Sequence, residues 1–233
     1  MTTITNSVHC PHCSSIEAVK NGRKPNGEQN YLCKSCGKQF LARYHNRGSD
    51  PSIQRLLLRM LTNNSGIRDI SRVLSISTTT VLAYLLRASQ KIITPKLLRY
   101  KSVQIDELWT FVRRRKKGKY WLIYAYAPET KEVLAFVSGT RSAKTTQKLY
   151  DTLNTLEIEE YCTDNWDAFA KVLPKEKHRI GKQYTQHIEG VNTSLRAKNR
   201  RLVRKTTAFS KEKQYHNAAL LLMFYDRNLH HTF

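Results

Sequence analysis

The sequence has no long apolar run, no secretory signal and few acidic residues. No run approaches the ~18 apolar residues of a membrane-spanning helix, which argues against an integral membrane protein. No signal peptide opens the chain, so we expect a reducing, cytoplasmic compartment. Asp and Glu number 18 against 40 Lys and Arg, which leaves a formal charge of +22. That imbalance points to a polyanion as the partner.

The basic excess is spread along the chain. Residues 1–100 carry 15 Lys and Arg against 4 Asp and Glu, and residues 101–233 carry 25 against 14, so each part has a charge of +11. An excess of this size attracts phosphate backbones at long range. Both parts are therefore expected to contact nucleic acid. The length allows about two domains with ordinary cores.

Four of the five cysteines form two CxxC pairs with 19 residues between them. They are Cys10, Cys13, Cys33 and Cys36. Four thiolates in two close pairs suit tetrahedral Zn²⁺, and we assign residues 1–45 to a structural zinc ribbon. A pair of disulfides is the alternative, which a reducing compartment disfavours. Cys162 stands alone in an apolar stretch and is interpreted as a core residue.

Residues 51–90 follow a helical apolar pattern with two breaks. The pattern predicts a helix–turn–helix DNA-binding domain, in which Ser77 caps the last helix. The exposed N-terminal end of that helix is expected to meet base edges through Thr78, Thr79 and Thr80. A three-helix bundle that binds nothing is the alternative. Residues 91–102 are predicted to be a short linker.

Residues 103–233 alternate between strand-like and helical patterns. Three strand-like runs rich in Val, Ile, Tyr, Phe and Trp come first, and a basic turn at residues 113–119 joins the first two. A helix, a short strand, a second helix, another short strand and two further helices follow. This order predicts an α/β domain with a ribonuclease-H-like sheet.

One basic helical stretch carries a carboxylate at the edge of its apolar stripe. The stretch covers residues 182–207, and the carboxylate is Glu189. Thr193, Arg196 and Arg200 follow on the face of Glu189 at about one-turn intervals, and basic residues, Arg204 among them, continue to Lys205. An acid followed by such a row suits a metal ligand beside a bound polyanion. The three arginines are therefore predicted to contact DNA.

Three carboxylates are predicted to converge on one metal site. Asp106 lies within the first strand and Asp164 closes the fourth, and those strands are neighbours in the predicted sheet. Glu189 would reach both from a helix packed over them. Converging carboxylates repel one another unless a hard cation lies among them, so Mg²⁺ or Mn²⁺ is expected there. Two such ions ~3.5–4 Å apart can activate an attacking oxygen and stabilise the leaving oxygen of a phosphodiester.

Two neighbouring acids compete with these ligands. Asp167 is the alternative to Asp164, but it belongs to the following helix rather than to the strand end. Glu107 is the alternative to Asp106, and strand alternation is expected to point it to the opposite face of the sheet. We therefore expect Asp167 and Glu107 to lie outside the site.

The chain resembles transposases of the insertion sequence one family over nearly its whole length. The resemblance rests on the cysteine pairs followed by the helix–turn–helix pattern, and on four segments. These are DELW (106–109), TDNWDAF (163–169), HIEGVNTSLR (187–196) and RKTTAFSK (204–211). Together the segments are highly specific, whereas any one of them alone would be a weak signal.

The resemblance implies a DDE transposase that acts on the inverted-repeat ends of its own element. Its triad would be Asp106, Asp164 and Glu189, and its partner double-stranded DNA, both element ends and target. Arg196 matches the basic position that follows the acid in many such enzymes, whereas Gly190 stands where the family often has a basic residue. We also expect a homo-oligomer on DNA, association with the nucleoid and no membrane partner.

Two other functions stay open from the sequence. The first is a DNA-binding repressor with a zinc ribbon, a helix–turn–helix and an inactive ribonuclease-H-like domain. The second is a ribonuclease or resolving nuclease on the same sheet, which should lack a sequence-specific N-terminal half. The predicted two-metal chemistry needs no covalent protein–DNA intermediate, so no Ser or Tyr nucleophile is expected.

Overall fold

The computed structural model of the chain describes residues 8–44, 46–113 and 119–230. The predicted basic turn at residues 113–119 therefore lies almost entirely outside the described residues. The chain forms two compact units. The smaller contains the residues up to Met60 together with Ile67–Val81, and the larger contains Leu61–Gly66 and the residues from Leu82 onward.

The smaller unit begins with a three-stranded antiparallel sheet. Its strands are β1 (Ala18–Arg23), β2 (Gln29–Cys33) and β3 (Gln39–Leu41). Tyr31 and Phe40 face each other across β2 and β3, and their rings stack with centroids 5.6 Å apart. They cover a small apolar cluster that contains Cys10 and Cys33. A cluster this small is a weak source of stability for a sheet.

Three helices follow the small sheet. They are α1 (Pro51–Thr62), α2 (Ile67–Leu74) and α3 (Thr78–Ala88). Ser77 caps α3 as predicted, because its Oγ accepts a hydrogen bond from the backbone N–H of Thr80 at 3.0 Å. Ile70 and Leu74 of α2 and Val81 of α3 are buried, as their helical spacing predicts.

The larger unit is built on a five-stranded sheet with the order β6-β5-β4-β7-β8. The strands are β4 (Arg99–Phe111), β5 (Lys119–Ala127), β6 (Glu132–Gly139), β7 (Glu157–Thr163) and β8 (His178–Ile180). The first three pair antiparallel, and β7 and β8 join parallel on the other side of β4. The first and fourth strands of the predicted domain are therefore neighbours, as expected.

Strand β4 begins earlier than the sequence pattern suggests. Its first residue, Arg99, falls within the stretch 91–102 that the sequence assigns to a linker. Tyr100 is buried in the core of the larger unit, and its hydroxyl donates to a carboxylate oxygen of Glu132 at 2.7 Å. The end of the predicted linker is thus part of the sheet.

Helices cover both faces of this sheet. They are α4 (Ala143–Leu153), α5 (Asp167–Val172), α6 (Gln186–Lys198) and α7 (Lys213–His230). One apolar cluster joins Ile105 of β4 to residues of α4 and α5, and another joins Leu108 to residues of α6 and α7. Cys162 is buried, as predicted. In the part of the chain that the structure describes, no helix has both the length and the apolar character to cross a bilayer.

Helix α6 is shorter than the predicted helix over residues 182–207. It ends at Lys198 because Asn199 adopts an extended backbone, with φ −143° and ψ 101°. The side-chain oxygen of Asn199 accepts the backbone N–H of Arg201 at 3.2 Å. This local bond competes with continuation of the helix. The predicted arginine row along one helix face is therefore wrong, since Arg200 and Arg204 follow the end of α6.

Candidate functional site

The four paired cysteines converge. The Sγ atoms of Cys10 and Cys36 lie 3.7 Å apart, and those of Cys13 and Cys33 lie 3.6 Å apart. All four sulfurs lie within 4.8 Å of one another. All five cysteines of the chain are described and all are free thiols, so the disulfide alternative is wrong. Four closely spaced thiols fit a tetrahedral, thiolate-coordinated metal ion.

Each CxxC pair is closed by its own backbone turn of the same construction. The N–H of Ser14 donates to the carbonyl of Cys10 at 2.8 Å, and the N–H of Gly37 donates to that of Cys33 at 2.9 Å. Ser14 and Gly37 both have positive φ, 63° and 69°. The N–H of His12 also donates to Sγ of Cys10 at 3.4 Å. Each turn thus places its two sulfurs by bonds of its own.

Two predicted carboxylates meet where the pairing of β4 and β7 ends. The parallel register pairs Gln104 with Cys162, and two further steps of that register set Asp106 opposite Asp164. Because β7 ends at Thr163, both acids lie beyond the last paired residues of the ladder. An oxygen of each lies within 4.8 Å of the other. Strand order alone thus accounts for their approach.

Glu107 belongs to the same group, contrary to the expectation from strand alternation. Alternation does hold, because Asp106 bonds to Asn192 of α6 whereas Glu107 bonds to Arg141 on the other side of the sheet. A Glu107 oxygen nevertheless lies within 4.8 Å of oxygens of Asp106 and Asp164. Beyond the end of β7 no paired backbone separates the two faces, so carboxylates from both can approach each other.

Asp106 is oriented by a buried polar chain. One carboxylate oxygen accepts the N–H of Glu107 at 2.7 Å, and the other accepts from Nδ2 of Asn192. The side-chain oxygen of Asn192 in turn accepts the Tyr124 hydroxyl at 2.7 Å. Asn192 and Tyr124 are not among the residues that the sequence predicts for the site. A signal was present, since Asn192 is a polar residue on the buried stripe of α6, four residues after Ile188.

Glu107 is held by Arg141, whose guanidinium in turn lies over two tryptophan rings. One Glu107 oxygen, Oε1, accepts from Nε and Nη2 of Arg141 at 3.0 and 2.6 Å. The guanidinium carbon lies 5.2 Å from the ring centroid of Trp121 and 4.5 Å from that of Trp166. Arg141 lies between β6 and α4, and nothing in its sequence surroundings marked it.

Burial raises the pKa of both Asp106 and Glu107. Desolvation is the main cause for each, and the charge of Asp164 raises both further. Hydrogen bonds act in the opposite direction, from Asn192 on Asp106 and from Arg141 on Glu107. A compact group of partly buried oxygens that repel one another is the donor set that a hard divalent cation prefers.

Glu189 lies apart from this group. It is exposed in the first turn of α6, and it is not among the acids whose oxygens lie within 4.8 Å of one another. Its charge still raises the pKa of Asp106. Asp167 is the first residue of α5 and also lies outside the group, as expected.

The residues predicted to contact DNA differ in exposure. Thr78 and Thr79 are exposed, whereas Thr80 is half-buried and its hydroxyl lies 2.8 Å from that of Ser77. Thr80 is thus part of the cap of α3, which the pattern of three threonines did not reveal.

The three arginines also differ in exposure. Arg200 and Arg204 are exposed, whereas Arg196 is half-buried on α6. The buried Nε of Arg196 has no hydrogen-bond partner among the described residues. The prediction that these arginines contact DNA stays a prediction.

Two family models match the chain. The model described as IS1 transposase matches residues 101–230, which is more than half of the sequence. A zinc-ribbon model described as the InsA N-terminal domain matches residues 1–37. The two matches fall on different parts of one continuous chain.

Curated relatives match about half of the chain. The insertion element iso-IS1n protein InsB of Shigella dysenteriae is 37% identical over 117 residues, which are 50% of this chain and 88% of that protein. The insertion element IS1 protein InsB of Shigella flexneri is 35% identical with the same coverage of both chains.

Among solved structures, similarity extends to a cryo-EM structure of a simian T-cell lymphotropic virus intasome in complex with the PP2A regulatory subunit B56 gamma. The match has 16% identity and a TM-score of 0.37, and it covers 74% of this chain and 64% of that one. At this TM-score the likeness carries no argument about fold or function.

Proposed function

The chain belongs to the IS1 transposase family, and from this premise we propose that it is a DNA transposase. It would bind the terminal inverted repeats of its element and catalyse metal-dependent strand cleavage and strand transfer. The observation that carries the proposal is the approach of Asp106 and Asp164 at the end of the β4–β7 ladder. The strand order, three antiparallel strands followed by two parallel ones, supports a ribonuclease-H-like domain over residues 103–233.

Asp106, Asp164 and Glu189 are the proposed ligands of Mg²⁺ or Mn²⁺. Divalent cations bound there would activate the attacking oxygen and stabilise the leaving oxygen of a phosphodiester. The chain's own contribution is orientation, since Asn192 and the N–H of Glu107 fix both oxygens of Asp106. Glu189, in the first turn of α6, would complete the site when DNA is bound.

The N-terminal part of the chain, residues 1–90, is proposed to recognise the element ends. The ribbon would hold structural Zn²⁺ through its four thiolates, and residues 51–90 would act as a helix–turn–helix. Thr78 and Thr79, which are exposed, would meet base edges, while Thr80 holds the cap of α3. The basic residues proposed to hold the DNA backbone are Arg196, Arg200 and Arg204. We propose a homo-oligomer on double-stranded DNA, associated with the nucleoid.

The triad is tested by strand transfer of a pre-cleaved element end in magnesium, run beside a gel shift on the same DNA. Asp106→Asn, Asp164→Asn and Glu189→Gln each keep side-chain volume and remove one charge. Each should bind ends as well as the parent and lose strand transfer by about two orders of magnitude or more, because a cation ligand is lost. Asp167→Asn is the matched control and should remain active.

Three results would contradict these assignments. If Asp164→Asn transfers normally while Asp167→Asn does not, the second acid is Asp167. If all the variants behave like an active parent, the acids are not the active site. A parent that binds ends but transfers nothing in magnesium or manganese would favour the repressor.

Sequence readout is tested by competition between element ends and random DNA. Thr79→Ala should reduce discrimination by about 1–3 kcal/mol, roughly 5- to 150-fold, and leave the salt dependence of binding unchanged. Thr152→Ala, which removes an exposed threonine of α4, is the control. Equal discrimination by both variants would contradict the helix–turn–helix assignment.

A further inference from the structure

We infer that Glu107 is a further ligand of the divalent-cation site at Asp106 and Asp164, and that Arg141 is the positioning residue that holds it there. The inference rests on the proposed function, because it concerns the same cation site. It departs from the triad in one respect: in the DNA-free protein the third carboxylate is Glu107 rather than Glu189.

The first support is geometric. Oxygens of Asp106, Glu107 and Asp164 lie within 4.8 Å of one another, a spacing that one cation can bridge. Glu189 is exposed and lies outside this group. A cation held by the two aspartates would therefore meet Glu107 without any movement of α6.

The second support is a buried oxygen without a partner. The Glu107 side chain is only 7% exposed. Its Oε1 receives both Arg141 donors, whereas its Oε2 is buried and has no hydrogen-bond partner in the described part of the chain. A buried carboxylate oxygen without a partner is costly, and a bound cation would remove that cost.

The third support is charge. Arg141 offsets one of the three negative charges of the group, so about two remain for the cation to balance. A second Lys or Arg beside the group would leave an ordinary ion-pair network with little charge for a cation to balance. Among the described residues Arg141 is the only cation that pairs with these acids.

The fourth support is the way Arg141 is held. Its guanidinium lies over the rings of Trp121 and Trp166, which limits its rotation and leaves its N–H fork directed at Oε1. The backbone N–H of Trp166 donates to Asp164 at 3.2 Å. One tryptophan thus contacts both the arginine that positions Glu107 and the neighbouring aspartate.

The test is Mn²⁺ binding to the full, zinc-loaded chain without DNA, measured by electron paramagnetic resonance of free Mn²⁺. Glu107→Gln should raise the Kd about tenfold or more, and Glu189→Gln should change it less than about threefold. Glu160→Gln is the matched control, because Glu160 accepts the same two-nitrogen contact from Arg179 at 3.1 and 3.0 Å on an exposed surface. It should bind Mn²⁺ like the parent.

Two further variants keep the inference testable if Glu107→Gln does not fold. Glu107→Asp keeps the charge but withdraws the carboxylate by one methylene, and it should also weaken Mn²⁺ binding. Arg141→Lys keeps the positive charge and removes the fork, so a Kd raised about threefold to tenfold with an unchanged number of sites supports positioning. An unchanged Kd in Arg141→Lys overturns the role of Arg141.

The outcome for Asp106→Asn separates this inference from the proposed function. If Asp106→Asn weakens Mn²⁺ binding while Glu107→Gln and Glu107→Asp do not, Glu107 is not a ligand and the aspartate site stands. If neither Asp106→Asn nor Glu107→Gln changes Mn²⁺ binding, the cation site itself is wrong and the proposed function loses its chemistry.

Discussion

The cysteine ribbon at residues 8–44 and the sheet of the larger unit bury very different amounts of apolar side chain. The ribbon has one cluster, centred on Cys10, Cys33 and Phe40. The sheet has an extensive cluster on each face. Because ordering each residue costs about 1–2 kcal/mol of backbone entropy, the ribbon cluster is too small to fold its segment unaided.

A metal ion would therefore have a different role in each of the two regions. In the ribbon, the thiols are joined by local turns, and coordination would link those turns into a fold. In the larger unit, the acids lie at the end of a sheet that apolar packing already holds. A cation there would take part in catalysis rather than folding. Its removal should therefore leave the core contacts of the larger unit intact.

Removal of zinc is expected to have the largest effect on the ribbon and almost none on the sheet. A strong zinc chelator in reducing buffer should unfold residues 8–44 and leave the larger unit folded, because structural zinc supplies roughly 10–16 kcal/mol in such domains. Zinc release measured with a colorimetric indicator should accompany loss of the ribbon signals in an amide NMR spectrum. Signals of the sheet should stay in place.

Single cysteine substitutions test the same assignment of zinc to the ribbon. Cys10→Ser should lower zinc content and unfold the ribbon, whereas Cys162→Ser, in the core of the larger unit, should leave zinc content at one ion per chain. A ribbon that stays folded without metal would contradict the assignment of the four thiols.

A cavity in the core of the larger unit should destabilise that unit and leave the ribbon folded. Phe224 of α7 is fully buried, with ring centroids of Tyr124 and Phe136 at 5.5 and 5.0 Å. Phe224→Ala should destabilise the larger unit by about 3–5 kcal/mol through lost burial and the cavity left behind. Urea denaturation followed by tryptophan fluorescence measures this, since all three tryptophans lie in that unit. Zinc should remain bound through the transition.

Acid should lower the free energy of unfolding of the larger unit through one buried histidine, an effect smaller than that of the core cavity. Burial, followed by the charge of Arg201, lowers the pKa of His216 from 6.5 to about 4. As the pH falls, His216 is therefore protonated in the unfolded state before it is protonated in the folded state. Its contribution to the free energy of unfolding is complete above about pH 6.5 and is lost as the pH falls towards 4. About 3 kcal/mol is involved.

His216→Phe tests that contribution. It keeps a ring against Tyr120 and removes the titrating group. The free energy of unfolding of the larger unit, measured by urea titration between pH 7 and 4.5, should then fall less steeply than in the parent. Parallel curves for the two proteins would contradict the prediction.

A glycine in α6 gives the smallest expected change. Gly190 lies within the helix, and a Cβ there would meet nothing within 4 Å. Gly190→Ala should raise stability by about 0.5–1 kcal/mol through helix propensity, a rise in Tm of roughly 1–4 °C. Gly181→Ala is the opposing control, because Gly181 has φ 149°, a backbone conformation that strains any residue with a Cβ. It should lower Tm.

Features set by local pattern could be predicted from the sequence. The CxxC spacing predicted the four-sulfur cluster, and the order of strands and helices along the second half predicted a sheet in which β4 and β7 are neighbours and bring Asp106 and Asp164 together. The first follows from spacing over a few residues, and the second from the succession of elements that local periodicity marks out.

Features set by single hydrogen bonds and tertiary contacts could not be predicted. The end of α6 depends on one local bond, from the backbone N–H of Arg201 to the Asn199 side chain, which the continuing apolar periodicity does not reveal. The inclusion of Glu107 depends on where β7 stops, and Arg141 reaches Glu107 from 34 residues away in sequence, without a flanking motif. These last two features depend on packing that no window of sequence contains.

The paired construction of the two cysteine turns has a practical consequence for labelling. Each turn places its own sulfurs, and Cys33 pairs with Ala18 at the end of the β1–β2 ladder opposite the hairpin tip, so the tip takes no part in the cluster. Its tip is exposed, and the N–H of Gly27 donates to the carbonyl of Lys24 at 2.9 Å. A short Gly/Ser peptide carrying an epitope or a fluorophore should be accepted there, because lengthening an exposed loop costs little. That position offers a reporter on ribbon occupancy that touches neither set of ligands.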